Sequence, residues 1–153
     1  MSIRETRILI AAVGLLVFLA SFGVGQEFPE ASPPTVELPP ELARVLTDYE
    51  KAYRIGGEEL APLFAEDGFV LAGGRPPVRG RAAIAAYYGD GGGPLSLRAI
   101  AYEVSGSVGY MIGGYALEQG SPDDGKFTLA LQKGPDGRWL IFSDMDNSNH
   151  RND

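Results

Sequence analysis

The chain contains no cysteine among its 153 residues. Disulfide bonds, thiolate metal sites, lipid anchoring through a cysteine and cysteine nucleophiles are therefore excluded. Histidine occurs once, as His150, four residues from the C-terminus. A catalytic or metal-binding histidine needs rigidly held partners, whereas chain ends tend to fray. Neither a Ser-His-Asp triad nor a metal site is therefore expected at His150.

Positive charge is also scarce, since 13 lysine and arginine residues face 20 aspartate and glutamate residues. Such an acidic surface repels phosphate groups, so a nucleic-acid partner is not expected. The glycine runs 73–74 and 91–93 lack the lysine and the strand–loop–helix spacing of phosphate-binding loops. The Asp123–Asp124 pair lacks the pattern of a calcium loop. We predict no metal and no cofactor.

The N-terminal 25 residues have the pattern of a secretory signal peptide. Arg4 and Arg7 precede an uncharged apolar run over residues 8–24, which ends among small residues with Gly25 followed by Gln26. The run is short of the roughly 20 residues that span a bilayer, which favours cleavage over an uncleaved anchor formed by residues 8–24. In either case we expect the domain to be exported, to the periplasm or outside the cell.

The rest of the chain divides into a linker, one domain and a tail. Residues 26–40 contain five prolines, which resist helix and sheet and predict an extended tether. We place a single domain at 41–149 and a short tail at 150–153, because this length suits one domain rather than two.

Hydrophobic spacing predicts helices first and strands afterwards. The run Leu42, Val45, Leu46, Tyr49, Tyr53 has helical spacing and predicts a helix over 41–54. Two shorter helices are expected over 58–65 and 81–88, and a brief strand over 69–72. Four further strands are expected over 95–105, 108–118, 126–133 and 138–147. This order predicts an α+β fold, with three N-terminal helices on one face of an antiparallel sheet.

Four segments, in order along the chain, resemble a known family: 63–70 (LFAEDGFV), 78–84 (VRGRAAI), 136–141 (DGRWLI) and 144–149 (DMDNSN). They resemble the nuclear transport factor 2-like superfamily, in its SnoaL-like, ketosteroid-isomerase-like branch of mostly unassigned function. The resemblance covers residues 42–149 and implies a cone-shaped fold, in which a curved sheet wraps around three helices and encloses an apolar pocket. It also implies a homodimer through the sheet. It implies no single activity, because relatives include isomerases, cyclases, dehydratases, epoxide hydrolases and non-enzymes.

The resemblance carries over unevenly to catalytic residues. Tyr49 stands where ketosteroid isomerases place the tyrosine of their oxyanion hole. Their general base would fall at about Ala72, and their second oxyanion acid near Leu129. Neither alanine nor leucine can exchange a proton, so the resemblance disfavours isomerase chemistry of that type. The segment 144–149 matches the unassigned branch better.

Asp144 and Asp146 are candidate acid–base residues because they lie two apart on a predicted strand and so share a face. If that face lines the pocket, the close carboxylate pair would raise one pKa and make a general acid or base. The alternative is a solvated strand end. Phe142 is expected on the same face, which argues against full solvation.

Tyr49, Tyr53 and Tyr87 are candidate ligand-binding residues because inward tyrosines give a pocket both apolar surface and hydroxyl groups. Packing in the core or in a dimer interface is the alternative for them. Asn147 is a further ligand-binding candidate, although asparagines at strand ends more often bond to backbone.

The arginines 75, 79 and 81 cluster around two prolines. A basic rim on an acidic protein could steer an anionic ligand. Surface ion pairing, worth little, is the commoner outcome, and the segment 79–81 is also expected to position the third helix.

Three functions remain open from the sequence. The first is an exported pocket protein of unknown specific activity that binds a small apolar molecule. The second is a cofactor-free lyase, isomerase or hydrolase that uses Asp144 as acid or base and Tyr49 as an orienting donor. The third is a non-catalytic dimeric interaction scaffold. The enzyme requires Asp144 to face an enclosed pocket with a displaced pKa, whereas the scaffold requires a filled pocket and an exposed apolar sheet face.

Overall fold

A computed structural model of the chain describes residues 32–150. The predicted signal peptide 1–25, the possible anchor 8–24 and the end of the predicted tail lie outside the described residues. Within 32–150, no helix has the length and apolar character that crossing a bilayer requires.

Three α-helices precede or interrupt the sheet in the described part of the chain: α1 (Pro40–Ile55), α2 (Gly57–Leu60) and α3 (Arg81–Tyr88). Helix α1 begins at Pro40. Proline suits this first position because an N–H there would have no hydrogen-bond partner within the helix. The helix ends at Gly56, whose φ of 145° is available to glycine and not to other residues. Its buried residues recur at helical spacing and form one face, as the sequence predicts.

The described residues also form one six-stranded sheet, from β1 (Phe64–Ala72), β2 (Val78–Arg79), β3 (Ser96–Ser105), β4 (Val108–Ala116), β5 (Gly125–Lys133) and β6 (Trp139–Ser148). The strand order is β2-β1-β6-β5-β4-β3. Strands β3 to β6 form the predicted antiparallel meander, and the α+β class is confirmed. One difference from the prediction is that β1 pairs with β6 in parallel, so the sheet is mixed.

Strand β1 begins five residues earlier than the sequence indicates. The predicted second helix over 58–65 ends as a short 3₁₀ turn at Leu63, and Phe64 already pairs with Ile141 of β6. Pro62 limits the helix, and the fully buried Phe64 gains more by joining the sheet. Tertiary pairing thus overrides the local helical pattern.

A bulge in β6 changes which residues share the face of Asp144. Leu131 pairs with Ile141 and Ala130 with Ser143, so Phe142 is an extra residue in the strand. Its ring packs against Phe69, with ring centroids 5.8 Å apart, away from the buried face. The expectation that Phe142 lies on the face of Asp144 is therefore wrong, because a single inserted residue reverses the alternation.

The last part of the predicted linker is packed on the domain. The Val36 N–H donates to the Ala99 carbonyl at 2.9 Å, and Arg98 Nη1 donates to the Pro33 carbonyl at 2.8 Å. Val36 and Leu38 also contact the hydrophobic core. The folded unit therefore starts before residue 41, because a proline-rich segment can still align along a sheet edge and bury its apolar residues.

Candidate functional site

A cavity of about 420 Å³ lies between the helices and the sheet. Its apolar wall comes mainly from leucines and Phe127. Its polar residues are five tyrosines and two aspartates: Tyr49, Tyr53, Tyr87, Tyr88, Tyr115, Asp144 and Asp146. The size and the mixture suit a small molecule with a mostly apolar body and a few polar atoms.

The regular geometry of α1 and β6 aims these side chains into the cavity. Tyr49 and Tyr53 are one helical turn apart on α1 and stack with ring centroids 6.4 Å apart. Asp144 and Asp146 alternate along β6 with Met145, whose side chain is exposed on the opposite face. One face of α1 and one face of β6 thus line the same cavity.

Hydrogen bonds link two tyrosines to Asp144. The Tyr49 hydroxyl donates to Asp144 Oδ2 at 2.7 Å, and the Tyr49 and Tyr88 hydroxyl oxygens are 2.8 Å apart. A hydroxyl has a single proton, and Tyr49 uses its own toward the carboxyl group. Tyr88 must therefore donate in the second bond, so the chain of donors runs from Tyr88 through Tyr49 to Asp144.

The second oxygen of the Asp144 carboxyl group is available to a ligand. Among residues 32–150, no side chain or backbone group hydrogen-bonds to Oδ1, and no buried side-chain nitrogen or oxygen is left without a partner. Oδ1 is therefore in contact with the cavity, which Asp144 lines. The side chain is otherwise enclosed, with 6% of its residue surface exposed.

Burial raises the pKa of Asp144 from 3.8 to about 7. The Tyr49 hydrogen bond lowers this pKa and the nearby Asp146 charge raises it, both to a smaller extent. The pKa of Asp146 is raised as well, chiefly by its partial burial. The pKa of Tyr49 is raised well above its ordinary value, first by burial and then by the Asp144 charge, so Tyr49 stays a donor. Asp144 can thus gain or lose a proton near neutral pH.

The structure brings five of the predicted site residues together. Asp144, Asp146, Tyr49, Tyr53 and Tyr87 all line the cavity. Asn147 does not line it: the residue is exposed, and its side chain lies beside Gly73. Side chains alternate along a strand, so Asn147 points away from the face of its neighbour Asp146.

The other candidates also lie outside the cavity. His150 Nε2 is 3.2 Å from Asp124 Oδ1 at the surface. Arg81 Nε and Nη2 donate to the Phe64 carbonyl at 2.8 and 2.7 Å, which ties α3 to β1. Arg79 and Asp67 form an exposed ion pair at 3.5 Å. Within the described range, no arginine lines the cavity.

Two tyrosines that line the cavity, Tyr88 and Tyr115, are not among the sequence candidates. Tyr88 follows the fully buried Ile84 by four residues on α3, so the two share a helix face. This spacing is visible in the sequence and is the signal that could have selected Tyr88 beside Tyr87. The contact with Tyr49 is not visible there, because 39 residues separate the two tyrosines.

No family profile matches the chain, and no curated protein matches it. Solved structures do match. A variant of a protein of unknown function from Mycobacterium tuberculosis is 24% identical, with 73% of this chain and 72% of that chain covered at a TM-score of 0.61. A candidate scytalone dehydratase from Novosphingobium aromaticivorans is 19% identical, with 72% and 83% covered at a TM-score of 0.60.

A third solved structure identifies the fold. A nuclear transport factor 2-like protein of unknown function from Methylobacillus flagellatus is 19% identical, with 76% of this chain and 98% of that chain covered at a TM-score of 0.55. Identities this low compare folds and not activities. The resemblance carried by the four sequence segments is thereby confirmed for the architecture: this chain has the nuclear transport factor 2-like fold.

Proposed function

We propose that the protein binds a small, mostly apolar molecule in its cavity and exchanges a proton with it through Asp144. One observation carries the proposal: a buried carboxyl group, oriented by Tyr49, presents a free oxygen to the cavity. A general acid or base works best when its pKa lies near the working pH, and burial brings the pKa of Asp144 to about 7.

The chemistry needs only the carboxyl group and the ligand. Ionised Asp144 would accept a proton from the ligand at Oδ1. Returning that proton to another atom of the same molecule completes an isomerisation, and delivering it to a departing hydroxyl group completes a dehydration with release of water. Tyr49 would hold the carboxyl group in place and stabilise its negative charge through the bond to Oδ2.

The register of the sheet also supports a role for both aspartates. Ala72 and Leu129 occupy the positions where the resemblance would place two acidic groups. Asp146 is the partner of Ala72 across β1 and β6, and Asp144 is the partner of Leu129 across β5 and β6. Neighbouring strands are about 5 Å apart, so both carboxyl groups lie one strand away from those positions and line the same cavity.

Binding without turnover is the second candidate function. The apolar character of Ala72 and Leu129 favours it, because the cavity then has no acidic group on β1 or β5 to act as a separate partner of Asp144. Such a binder needs the cavity and tolerates the loss of the Asp144 proton.

We also propose that the protein is a homodimer through the outer face of its sheet. Tyr110, Ile112 and Met145 are 39–47% exposed on that face. Ile112 and Met145 both pair with Thr128, so they lie in one row across β4, β5 and β6. A second copy of this surface would cover these apolar side chains. An interaction scaffold would use the same face, although the open cavity does not favour that function alone.

Native mass spectrometry of the purified full chain tests binding, because it reports retained small molecules and the subunit number together. Incubation with cyclic ketones in D₂O then tests proton exchange, read as deuterium in the recovered ketone. We expect exchange with the unmodified protein, none with Asp144→Asn, and normal exchange with Asp48→Asn, which removes an exposed carboxylate on α1.

The outcomes separate the two functions. Binding without exchange in the unmodified protein would favour the non-catalytic binder. Equal exchange in the Asp144→Asn variant would refute the role of Asp144. A cavity that neither retains nor takes up any apolar molecule would refute the binding proposal itself.

Export is a proposal that rests on the sequence of residues 1–25. We expect protein recovered from the periplasm or the medium to have Gln26 as its first residue. Intact mass measurement checks this, and a full-length mass in the membrane fraction would indicate the uncleaved anchor instead.

A further inference from the structure

The ionisable groups that line the cavity are all acidic, so any charge they carry is negative. Its ionisable lining residues are Asp144, Asp146 and the five tyrosines, and no lysine, arginine or histidine of the described residues is among them. Arg54 comes near, but its Nη2 donates to the carbonyl of Leu95 and its side chain does not line the cavity. A negatively charged ligand would therefore meet two carboxyl groups and no compensating cation.

Both aspartates lack a positively charged partner from residues 32–150. The ion pairs of this part of the chain involve other acidic residues, with Asp123 and Asp124 as examples close to the same sheet. Asp144 is enclosed, and its Oδ1 faces the cavity without a donor. A buried carboxylate is costly without a positively charged partner, so a cation in the cavity would stabilise the ionised form of Asp144.

The tyrosine rings supply the second part of the argument. Tyr53 and Tyr88 meet edge to face at 6.0 Å, and Tyr87 and Tyr88 do so at 5.1 Å, while Tyr49 stacks on Tyr53. These rings lie in different planes, and all four line the cavity. The face of an aromatic ring carries partial negative charge and attracts a cation within about 6 Å.

We propose that the natural ligand of this cavity is a cation, a small molecule with an apolar body and a protonated or quaternary amine. The amine lies among the tyrosine rings and is paired with Asp144 and Asp146, while the apolar body contacts the leucines and Phe127. This inference rests on the proposed function, because it names the ligand class of the same cavity.

Proton release on binding is a direct consequence. Below about pH 7 the Asp144 carboxyl group of the free protein is largely protonated, and a bound cation favours its ionised form. Binding therefore releases a proton, and affinity for a quaternary amine rises with pH up to neutrality. Asp146 faces the same cavity and adds to the effect, whereas Tyr49 and Tyr88 keep their protons because their pKa values are raised.

Two probes of equal shape test the proposal on the full chain: benzyltrimethylammonium, and neopentylbenzene, its neutral isostere. We expect the cation to bind about tenfold or more tightly than the isostere, by NMR titration at pH 8. The Asp144→Asn, Asp146→Asn double variant should lose most of this preference and keep only the part that the tyrosine rings supply. Asp48→Asn, which removes charge outside the cavity, should keep the preference of the unmodified protein.

Each other outcome overturns the inference. Equal or tighter binding of neopentylbenzene by the unmodified protein would show an apolar pocket without a cation site, and the proposed function would stand. An undiminished preference for the cation in the double variant would show that Asp144 and Asp146 do not pair with the amine. Binding of neither probe would reject the cation site, while molecules retained in native mass spectrometry would decide the proposed function separately.

Discussion

Asp144 is, among residues 32–150, the one buried side chain with a carboxyl or other charged group. Tyr49 donates a hydrogen bond to one oxygen of its carboxyl group, and the other oxygen faces the cavity. The carboxyl group is therefore held at the boundary between two protonation states, because burial opposes its charge and the tyrosine hydroxyl favours it.

The first prediction concerns stability against pH. The pKa of Asp144 is about 7 in the folded chain and near 3.8 for the free side chain. Between these values the folded state binds more protons than the unfolded state, so the free energy of unfolding falls as pH rises through this window. Asp144→Asn removes this loss and should become more stable than the unmodified protein by up to about 4 kcal/mol above neutrality.

Urea unfolding at pH 4, 6 and 8 measures the difference between the two proteins. Asp48→Asn controls for the removal of one negative charge at an exposed position. If the stability difference between Asp144→Asn and the unmodified protein did not grow from acid to neutral pH, the buried state of this carboxyl group would be refuted.

The second prediction concerns Tyr49. Tyr49→Phe removes the hydroxyl that donates to Asp144 Oδ2 while keeping the ring. Since that bond lowers the pKa of Asp144, we expect the pKa to rise above its value in the unmodified protein. Carbon-13 NMR titration of the aspartate carboxyl groups measures it. Tyr53→Phe, whose ring stacks on Tyr49, is the matched control and should leave the pKa in place.

At the scale of elements, α3 depends on one arginine. Arg81 makes two hydrogen bonds to the carbonyl of Phe64, the first residue of β1. This contact fixes the start of α3 relative to the sheet, and α3 carries Tyr87 and Tyr88 into the cavity. The sequence predicts that the segment 79–81 positions the third helix. Arg81 does so by hydrogen bonds to a backbone carbonyl and not by an ion pair.

The third prediction compares two arginines. Arg81→Met leaves the carbonyl of a buried residue without its charged donor and should cost about 1.5–3 kcal/mol of stability. Arg79→Met removes the exposed contact with Asp67 and the contact of the guanidinium group with the Phe69 ring, and should cost about 0.5–1.5 kcal/mol. Chemical denaturation compares the two variants, and equal losses would contradict the anchoring role of Arg81.

At the scale of the whole molecule, the outer sheet face and the cavity are opposite sides of the same strands. Met145 is exposed on the outer face, between Asp144 and Asp146 of the cavity face. A homodimer through this face would leave the cavity lining intact in each copy.

The fourth prediction tests the homodimer. We expect light scattering to give twice the chain mass for the unmodified protein. Ile112→Glu should give the monomer mass, because it places a charge among apolar side chains on the proposed interface. Ile55→Glu, at the exposed end of α1, should remain dimeric. A monomeric unmodified protein would refute the proposed homodimer.

The sequence by itself determined the local elements and the class of fold. Apolar spacing was sufficient for α1, α3 and the four-stranded meander, because helices and strands bury faces of different period. The alternation of Asp144 and Asp146 and the inward position of Tyr49 were also readable in advance. These are local properties, since in a regular element a side chain's face follows from the geometry of that element alone.

Only the tertiary structure decided the parallel pairing of β1 with β6, the bulge at Phe142 and the contact of Tyr49 with Asp144. Tyr49 and Asp144 are 95 residues apart, and no local pattern records which helix face will meet which strand face. Asn147 illustrates the same limit, because one step along β6 moves a side chain from the cavity to the surface. The raised pKa of Asp144 follows from burial, which exists only once the elements have packed together.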